Sequence, residues 1–262
     1  MVVIDEKKCI GCGLCAADCI ALNIEVEEKA SVKKECMQCG HCVAVCPKGA
    51  VSIPEYDMDD VEEYDADSFT LQPEQVLHSI KFRRSIRDYK QEQVEESVLR
   101  QLVQAGRYTA TAKNSQSNGF VFVQKELTTL KDKVWQFIDD ISKKDIREID
   151  KALLPYIMFN QRRKKDVADD YLFRNASAVL YIVSDSPLDA GLAAQNMETM
   201  AVSLGLGVLY NGYLARISDV NEELKQWLGI GDRTIRACML LGYPARHYVR
   251  TAPRKAPDVI WK

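Results

Sequence analysis

Two stretches decide the fold: Cys9-Ile10-Gly11-Cys12-Gly13-Leu14-Cys15-Ala16-Ala17-Asp18-Cys19 and Cys36-Met37-Gln38-Cys39-Gly40-His41-Cys42-Val43-Ala44-Val45-Cys46-Pro47. Together they hold eight of the nine cysteines, and each cysteine of the second run lies 27 positions after its counterpart in the first. A fixed repeat of this kind marks a duplicated half-domain with pseudo-twofold symmetry. Within each run, three thiols separated by two residues each can wrap one face of a cubic iron–sulfur cluster. Gly11, Gly13 and Gly40 give the backbone freedom to curl around it. The fourth cysteine stands one residue too far along to reach the same cluster and crosses to the other one. The spacing therefore predicts one [4Fe–4S] cluster on Cys9, Cys12, Cys15 and Cys46, and a second on Cys36, Cys39, Cys42 and Cys19.

Two plainer readings compete with this one. A disulfide framework belongs to secreted chains, yet residues 1–8 mix acidic and basic side chains and contain no apolar signal core. Paired zinc knuckles would leave the third cysteine of each run unexplained. The pattern resembles a bacterial two-cluster ferredoxin over about the first 55 residues, with one departure: Ile20, not proline, follows Cys19.

At 262 residues the chain is too long for such a domain alone. The expected organisation is a ferredoxin-like domain over residues 1–55, an acidic linker over 56–72 and a second domain over 73–262. Residues 55–67 carry eight acidic side chains and no basic one, which reads as a solvated linker rather than a docking patch. A net charge of −3 gives no general attraction to nucleic acid, and no run of about 18 apolar residues suggests a membrane span. Thiolate chemistry without a signal peptide points to a reducing cytoplasm.

Ile24, Val26 and Val32 alternate with Glu25, Glu27 and Glu28 as in a small hairpin, and residues 50–53 repeat that strand. Helical periodicity begins at Pro73 with Val76, Leu77 and Ile80, and resumes with Val94, Val98, Leu99, Leu102 and Val103, where Gly106 is placed to end the helix. Residues 120–123 read as a strand, and Leu127 to Ile141 as a helix. Residues 145–170 read as a polar helix, and the Val-Leu-Tyr-Ile run after Ala178 as a buried strand. Residues 188–204 form a long helix, followed by strands at 208–210 and 235–241 with one helix carrying Val220, Leu224 and Trp227 between them. Helices outnumber strands and do not alternate strictly with them, so the expected class is α+β.

A second site is suggested by Arg83-Arg84-Ser85-Ile86-Arg87, where three guanidinium groups around a hydroxyl could hold a phosphate. Asn114-Ser115-Gln116, Asn211-Gly212, Arg250 and Arg254 each lie in a loop beside a regular element, where ligand contacts concentrate. Together with Gly205-Leu206-Gly207 and Gly242-Tyr243-Pro244, these motifs resemble the FMN-dependent nitroreductases from Pro73 to the C-terminus. The whole chain is thus similar to a ferredoxin–nitroreductase fusion.

The resemblance implies a homodimer with FMN at the interface. It implies that Arg83, Arg84, Ser85 and Arg87 hold the ribityl phosphate and flavin edge, that Arg250 and Arg254 add phosphate contacts, and that the Asn211-Gly212 backbone faces flavin N5. The partner subunit's Thr111 and the partner subunit's Asn114 would reach the flavin from across the interface. Here the loop reads Ala110-Thr111 where the family often has Pro-Ser, and Ser117-Asn118 where it has Pro-Trp.

The expected activity is transfer of electrons from an external donor through the clusters to FMN, and on to a nitroaromatic, quinone or similar conjugated acceptor. No side chain need act as a dedicated catalytic group, because the cofactors carry the chemistry. Two other readings remain open. One is an NAD(P)H-fed dehydrogenase or ene-type reductase sending electrons outward through the clusters; the other is a non-catalytic electron carrier or redox sensor. Cys238 reads as a core residue, His41, His78 and His247 show no metal spacing, and Met197 and Met200 read as packing residues. The basic run at 161–166 reads as a solvated helix face, and no Gly-x-Gly-x-x-Gly follows a strand.

Overall fold

The computed structural model describes residues 1–262 and divides into two compact units. The first is Met1–Leu71 with Thr111–Ser115, and the second is Gln72–Ala110 with Gln116–Lys262.

In the first unit the 27-residue repeat becomes local structure. Strand β1 (Val3–Ile4) pairs antiparallel with β4 (Val51–Ser52), and β2 (Ile24–Val26) pairs antiparallel with β3 (Ala30–Val32). One-turn helices α1 (Leu14–Ala17) and α2 (His41–Ala44) start from Gly13 and Gly40, at φ 80° and 78°. These left-handed positions suit glycine because it has no Cβ. The two halves are not identical copies. Shifting Val3↔Ser52 by the repeat would set Ala30 opposite Glu25, whereas Ala30 faces Val26, a slip of one residue. Val2, Ile24, Ala30, Ala50, Val51 and Ile53 form the core together with Cys9, Cys15 and Cys42. The acidic stretch that follows is partly ordered, with a 3-10 turn (Met58–Asp60) and helix α3 (Ala66–Phe69). Met58 packs against this core, and its sulfur accepts from the Ile53 N–H at 3.4 Å.

The second unit is built on one antiparallel sheet of order β5-β6-β8-β7: β5 (Gly119–Val123), β6 (Ala178–Val183), β7 (Gly207–Tyr210) and β8 (Ile235–Gly242). Both faces are covered, which is why β6 reads as an unbroken apolar run. Val179, Tyr181 and Val183 point into one core with α6 (Leu127–Ser142), α7 (Leu154–Lys165), α9 (Gly212–Asp219) and α10 (Glu222–Trp227). Ala178, Leu180 and Ile182 point into the other, with α5 (Glu96–Arg107) and α8 (Pro187–Ser203). This is the α+β arrangement expected. Helix α4 (Pro73–Phe82) buries none of its residues within the chain.

Three local readings are corrected. Gly106 lies inside α5 and does not end it: a Cβ there would stand 2.6 Å from Cζ of Phe120 and 2.9 Å from Sδ of Met197, so close packing requires the glycine. The helix expected around Val220, Leu224 and Trp227 is two helices, because Asn221 accepts from the Leu224 N–H at 3.0 Å and caps α10. The polar helix expected over 145–170 is confined to α7, preceded by a 3-10 turn (Lys151–Leu153). Its basic residues are engaged on the unit's own surface: Arg162 pairs with Asp169, Lys164 with Asp139, and Arg163 lies 5.0 Å from the Trp135 ring.

Candidate functional site

The eight cysteines separate into two groups of four, and neither group is contiguous in sequence. Cys9, Cys12, Cys15 and Cys46 line one cavity. Cys19, Cys36, Cys39 and Cys42 line another. None of them forms a disulfide. Gly11 makes the first loop possible, since at φ 66° a Cβ would fall 2.4 Å from the Glu28 carbonyl oxygen.

Backbone N–H groups are aimed at the sulfurs in a pattern that follows the repeat. Asn23 donates to Sγ of Cys19 at 3.4 Å and Ala50 to Sγ of Cys46 at 3.3 Å, four residues on in each half. Ala30 donates to Cys9 and Gln38 to Cys36, both at 3.4 Å. Hydrogen bonds from Ala30 and Gly11 lower the Cys9 thiol below its ordinary value, whereas burial pushes Cys15 and Cys42 up. No three Cys, His, Asp or Glu side chains converge on one metal-ion position; a cubane is ligated at four separate corners, so its ligands need not converge.

In the second unit, the segment carrying Arg83, Arg84, Ser85 and Arg87 runs along the edge strand β7. Ser85 bridges Val208 in parallel, and the Ile86 N–H donates to the Val208 carbonyl at 2.9 Å. Ile86 lies so close that a Cβ on Gly207 would meet it at 2.6 Å. The arginines then diverge. Arg87 joins Asn211, Gly212, Arg174, Arg216 and Tyr210 around a cavity of about 400 Å³. Arg83 and Arg84 line a separate one of about 580 Å³ with Lys90, Tyr243 and Arg246. Arg84 also donates to the carbonyls of Lys81, Arg83 and Arg250. The Asn211 side chain caps α9, accepting from the Leu214 N–H at 2.9 Å and donating to the Leu172 carbonyl at 2.6 Å. Beside it Gly212 is open, with no atom within 4 Å of a Cβ placed there.

Thr111 and Asn114 group with the first unit, where Asn114 Nδ2 donates to the carbonyls of Met37 and Gln38, each at 3.0 Å. Their loop is strained, with Lys113, Asn114 and Gln116 all at positive φ. Arg254 is exposed and donates to its neighbour's carbonyl at Pro253.

A nitroreductase family model matches residues 80–243, and a 4Fe-4S dicluster domain model matches residues 1–47. The chain belongs to the nitroreductase family. Similar solved structures include an FMN-bound nitroreductase from Bacteroides fragilis NCTC 9343, at 22% identity over 71% of this chain and 97% of that one, with a TM-score of 0.58. An FMN-bound nitroreductase from Desulfitobacterium hafniense DCB-2 is 21% identical over 70% and 94%, with a TM-score of 0.52. The FMN-dependent nitroreductase NfnB from Mycobacterium smegmatis, in complex with NADPH, is 16% identical over 66% and 88%, with a TM-score of 0.50. At these identities the likeness is one of fold. No curated protein matches the chain.

The nitroreductase-family unit also brings forward residues that the sequence reading missed. Arg83 donates to Glu198, which is completely buried on α8. Burial, followed by the Glu198 charge, raises the Tyr210 hydroxyl above the ordinary tyrosine range. Arg174, at φ 55°, stacks 4.1 Å from the Tyr171 ring. Glu198 could have been noticed, because Ala190, Ala194 and Glu198 recur every four residues on the buried stripe of α8. Arg174 and Arg216 carry no local signal, since only the fold brings them beside Arg87.

Proposed function

We propose that this chain is an iron–sulfur flavoprotein oxidoreductase holding two [4Fe–4S] clusters and FMN, which passes electrons from an external donor to a nitroaromatic, quinone or similar conjugated acceptor. The observation that carries the reading is the crossed grouping of the eight cysteines around two cavities, in a chain whose other unit is a nitroreductase-family domain. When bound, the clusters supply one-electron transfer and the flavin supplies two-electron transfer to the acceptor.

The residues present suit both cofactors. Each cavity offers four thiols, with backbone N–H groups directed at several sulfurs, a recognised lever on cluster potential. For FMN, the cavity lined by Arg87, Arg174 and Arg216 offers guanidinium groups to a phosphate, and the open backbone at Gly212 permits close approach of a flat ring. Asn211 holds the start of α9 rigid through its two side-chain hydrogen bonds. Ser85 keeps the arginine segment on β7, and Arg84 ties it to the Arg250 carbonyl. Arg83 and Arg254, expected as phosphate contacts, stand outside this cavity: Arg83 acts instead through its pair with Glu198, which holds the segment carrying Arg87, and Arg254 is exposed; the partner subunit's Thr111 and the partner subunit's Asn114 would reach the ring. A homodimer is supported by apolar surface that one chain leaves bare: Val76, Leu77, Ile80 and Phe82 at α4, and Val259, Ile260 and Trp261 at the C-terminus.

The test is to purify the protein anaerobically, measure iron, sulfide and FMN, and mix it separately with NADPH, NADH and a reduced ferredoxin while following cluster and flavin absorbance. Bleaching of the clusters before the flavin by ferredoxin supports inward flow. The NADPH complex of the M. smegmatis relative favours a second reading, in which nicotinamide feeds the flavin and electrons leave through the clusters. That reading takes over if nicotinamide reduces the flavin first. Reduction without turnover of any small acceptor would leave a carrier or sensor.

A further inference from the structure

The two cysteine loops of the first unit are counterparts in the repeat, yet they are held in different ways. In each, the N–H two residues past the first cysteine is aimed at that cysteine's sulfur: Gly11 at Cys9, and Gln38 at Cys36 at 3.4 Å. The first loop is gripped by Lys29, which donates to the Cys9 carbonyl. The second is gripped by Asn114, whose Nδ2 donates to the Met37 and Gln38 carbonyls, each at 3.0 Å. Two carbonyls can accept only from the amide nitrogen, so they fix which way the Asn114 side chain points.

The Met37 carbonyl and the Gln38 N–H belong to one peptide group. A continuous chain of hydrogen bonds therefore runs from Asn114 Nδ2 through that peptide to Cys36 Sγ. A carbonyl that accepts a hydrogen bond polarises its peptide, and the N–H of that peptide becomes a stronger donor. In the first loop the Lys29 bond falls one peptide earlier, on Cys9, and is not in line with the Gly11 N–H. Backbone angles single out the same contact. Gln38 stands at φ 50° where its counterpart is Gly11 at 66°, and across from it Lys113, Asn114 and Gln116 stand at 54°, 53° and 48°. Asparagine tolerates the left-handed region, whereas lysine and glutamine are strained there. Asn114 lies outside the repeat, within the stretch that the nitroreductase family model matches, in the segment Thr111–Ser115 that folds with the first unit.

We propose that Asn114 is a positioning residue for the cluster ligated by Cys19, Cys36, Cys39 and Cys42. Through the Met37–Gln38 peptide it strengthens the hydrogen bond on Cys36 Sγ and holds that cluster at a higher potential. The sign follows from charge: reduction adds one electron to the cluster, and a donor aimed at a ligand sulfur stabilises the more negative state. The proposal rests on the cluster reading above.

The experiment uses the full chain reconstituted anaerobically with iron and sulfide, titrated with dithionite and followed by low-temperature electron paramagnetic resonance. Asn114→Gly keeps the backbone conformation and removes the amide; Asn114→Asp keeps the size and removes the donors. In Asn114→Gly the reduction equilibrium of one cluster should fall at least threefold, about 28 mV at 59 mV per decade for one electron. Asn114→Asp should lower it further, because it also adds a negative charge, and the other cluster should stay at its wild-type potential in both. In a Cys36→Ser chain, Asn114→Gly should change nothing. A purely structural role would move the melting temperature without moving one potential alone. Unchanged potentials, an equal shift of both clusters, or a shift that persists beside Cys36→Ser would overturn the proposal. So would a rise in potential, which would mean that solvent entry outweighs the lost hydrogen bond. FMN is measured in the same samples, and its loss with both potentials unmoved would assign Asn114 to the flavin alone. Absence of iron, or clusters that dithionite fails to reduce, would instead sink the cluster reading itself.

Discussion

Arg83 donates from Nη1 to Oε1 of Glu198 at 2.9 Å, and the carboxylate it meets is entirely inside the protein. The second oxygen, Oε2, is buried without a hydrogen-bond partner. One of the three guanidinium groups that make the 83–87 segment look like an anion site is thus already matched by a negative charge. The pair also ties the start of that segment to α8 from within, as Ile86 ties it to β7 at the edge.

Removing only the cation should be severe. Arg83→Ala leaves Glu198 buried and unpaired, a change that costs about 3–5 kcal/mol. Glu198→Leu should cost less, because the Arg83 side chain is 30% exposed and can turn its head to water. The double variant should recover most of the loss, which urea unfolding followed by tryptophan fluorescence will read. Iron content should stay at the wild-type level in all three, and FMN retention should fall in both variants that lack Arg83. Full FMN retention in Arg83→Ala would show that the Arg83–Glu198 pair does not position the segment that carries Arg87.

The crossed cysteine groups make a prediction that sequence neighbours would get backwards. Cys46→Ser should disturb the cluster on Cys9, Cys12 and Cys15, and Cys19→Ser the one on Cys36, Cys39 and Cys42. Each single variant should lose up to about half the iron. Pairing Cys46→Ser with Cys9→Ser should cost no more iron than either alone, whereas pairing it with Cys36→Ser should empty both sites. Iron analysis and low-temperature electron paramagnetic resonance would separate these outcomes.

The parts of this structure that were legible in the sequence are those set by local spacing. The spacing inside each cysteine run, with its fourth cysteine one residue farther on, suggested the crossed sets that line the two cavities, and the unbroken apolar run of β6 announced a buried strand. Strand order was not legible, because β7 lies beside β8 rather than β6 through pairings that no local pattern encodes. Gly106 and Asn221 misled the reading of helix ends for opposite reasons. A glycine suggested an end where the need was contact with Phe120, and an asparagine cap hid a break inside an apolar pattern. In the candidate site, Arg87 and Asn211-Gly212 were visible as motifs, but Arg174 and Arg216 reach the same cavity from loops and helices that carry no motif.

Gly106→Ala tests the close approach directly. In an exposed helix the change would be favourable by up to about 1 kcal/mol. Here the new methyl would meet the Phe120 ring and the Met197 sulfur inside 3 Å, and overpacking of this kind costs about 1–3 kcal/mol. The expected result is a lower melting temperature, with partial rescue by Phe120→Leu. A variant as stable as wild type would mean that the α5–α8 contact yields freely.

Tyr156 supplies a pH dependence whose sign is fixed. It is fully buried, its hydroxyl donates to the Tyr213 carbonyl at 2.6 Å, and burial pushes its pKa up to about 12 from 10.0. A raised folded-state value means that, as pH rises from about 10 to about 12, the unfolded chain releases this proton while the folded chain keeps it. Stability then falls with rising pH by up to about 1.4 kcal/mol per pH unit for this one group. Below pH 10 the contribution is fully present. Tyr156→Phe should lose about 1 kcal/mol at pH 8 with the hydrogen bond, yet decline less steeply than wild type between pH 10 and 12. Buried Tyr181 and Tyr89 titrate high in both proteins, so the difference between the two curves isolates Tyr156. Urea unfolding at half-unit intervals from pH 8 to 12 would measure it, and parallel curves would show that the Tyr156 hydroxyl reaches solvent and titrates as an ordinary phenol.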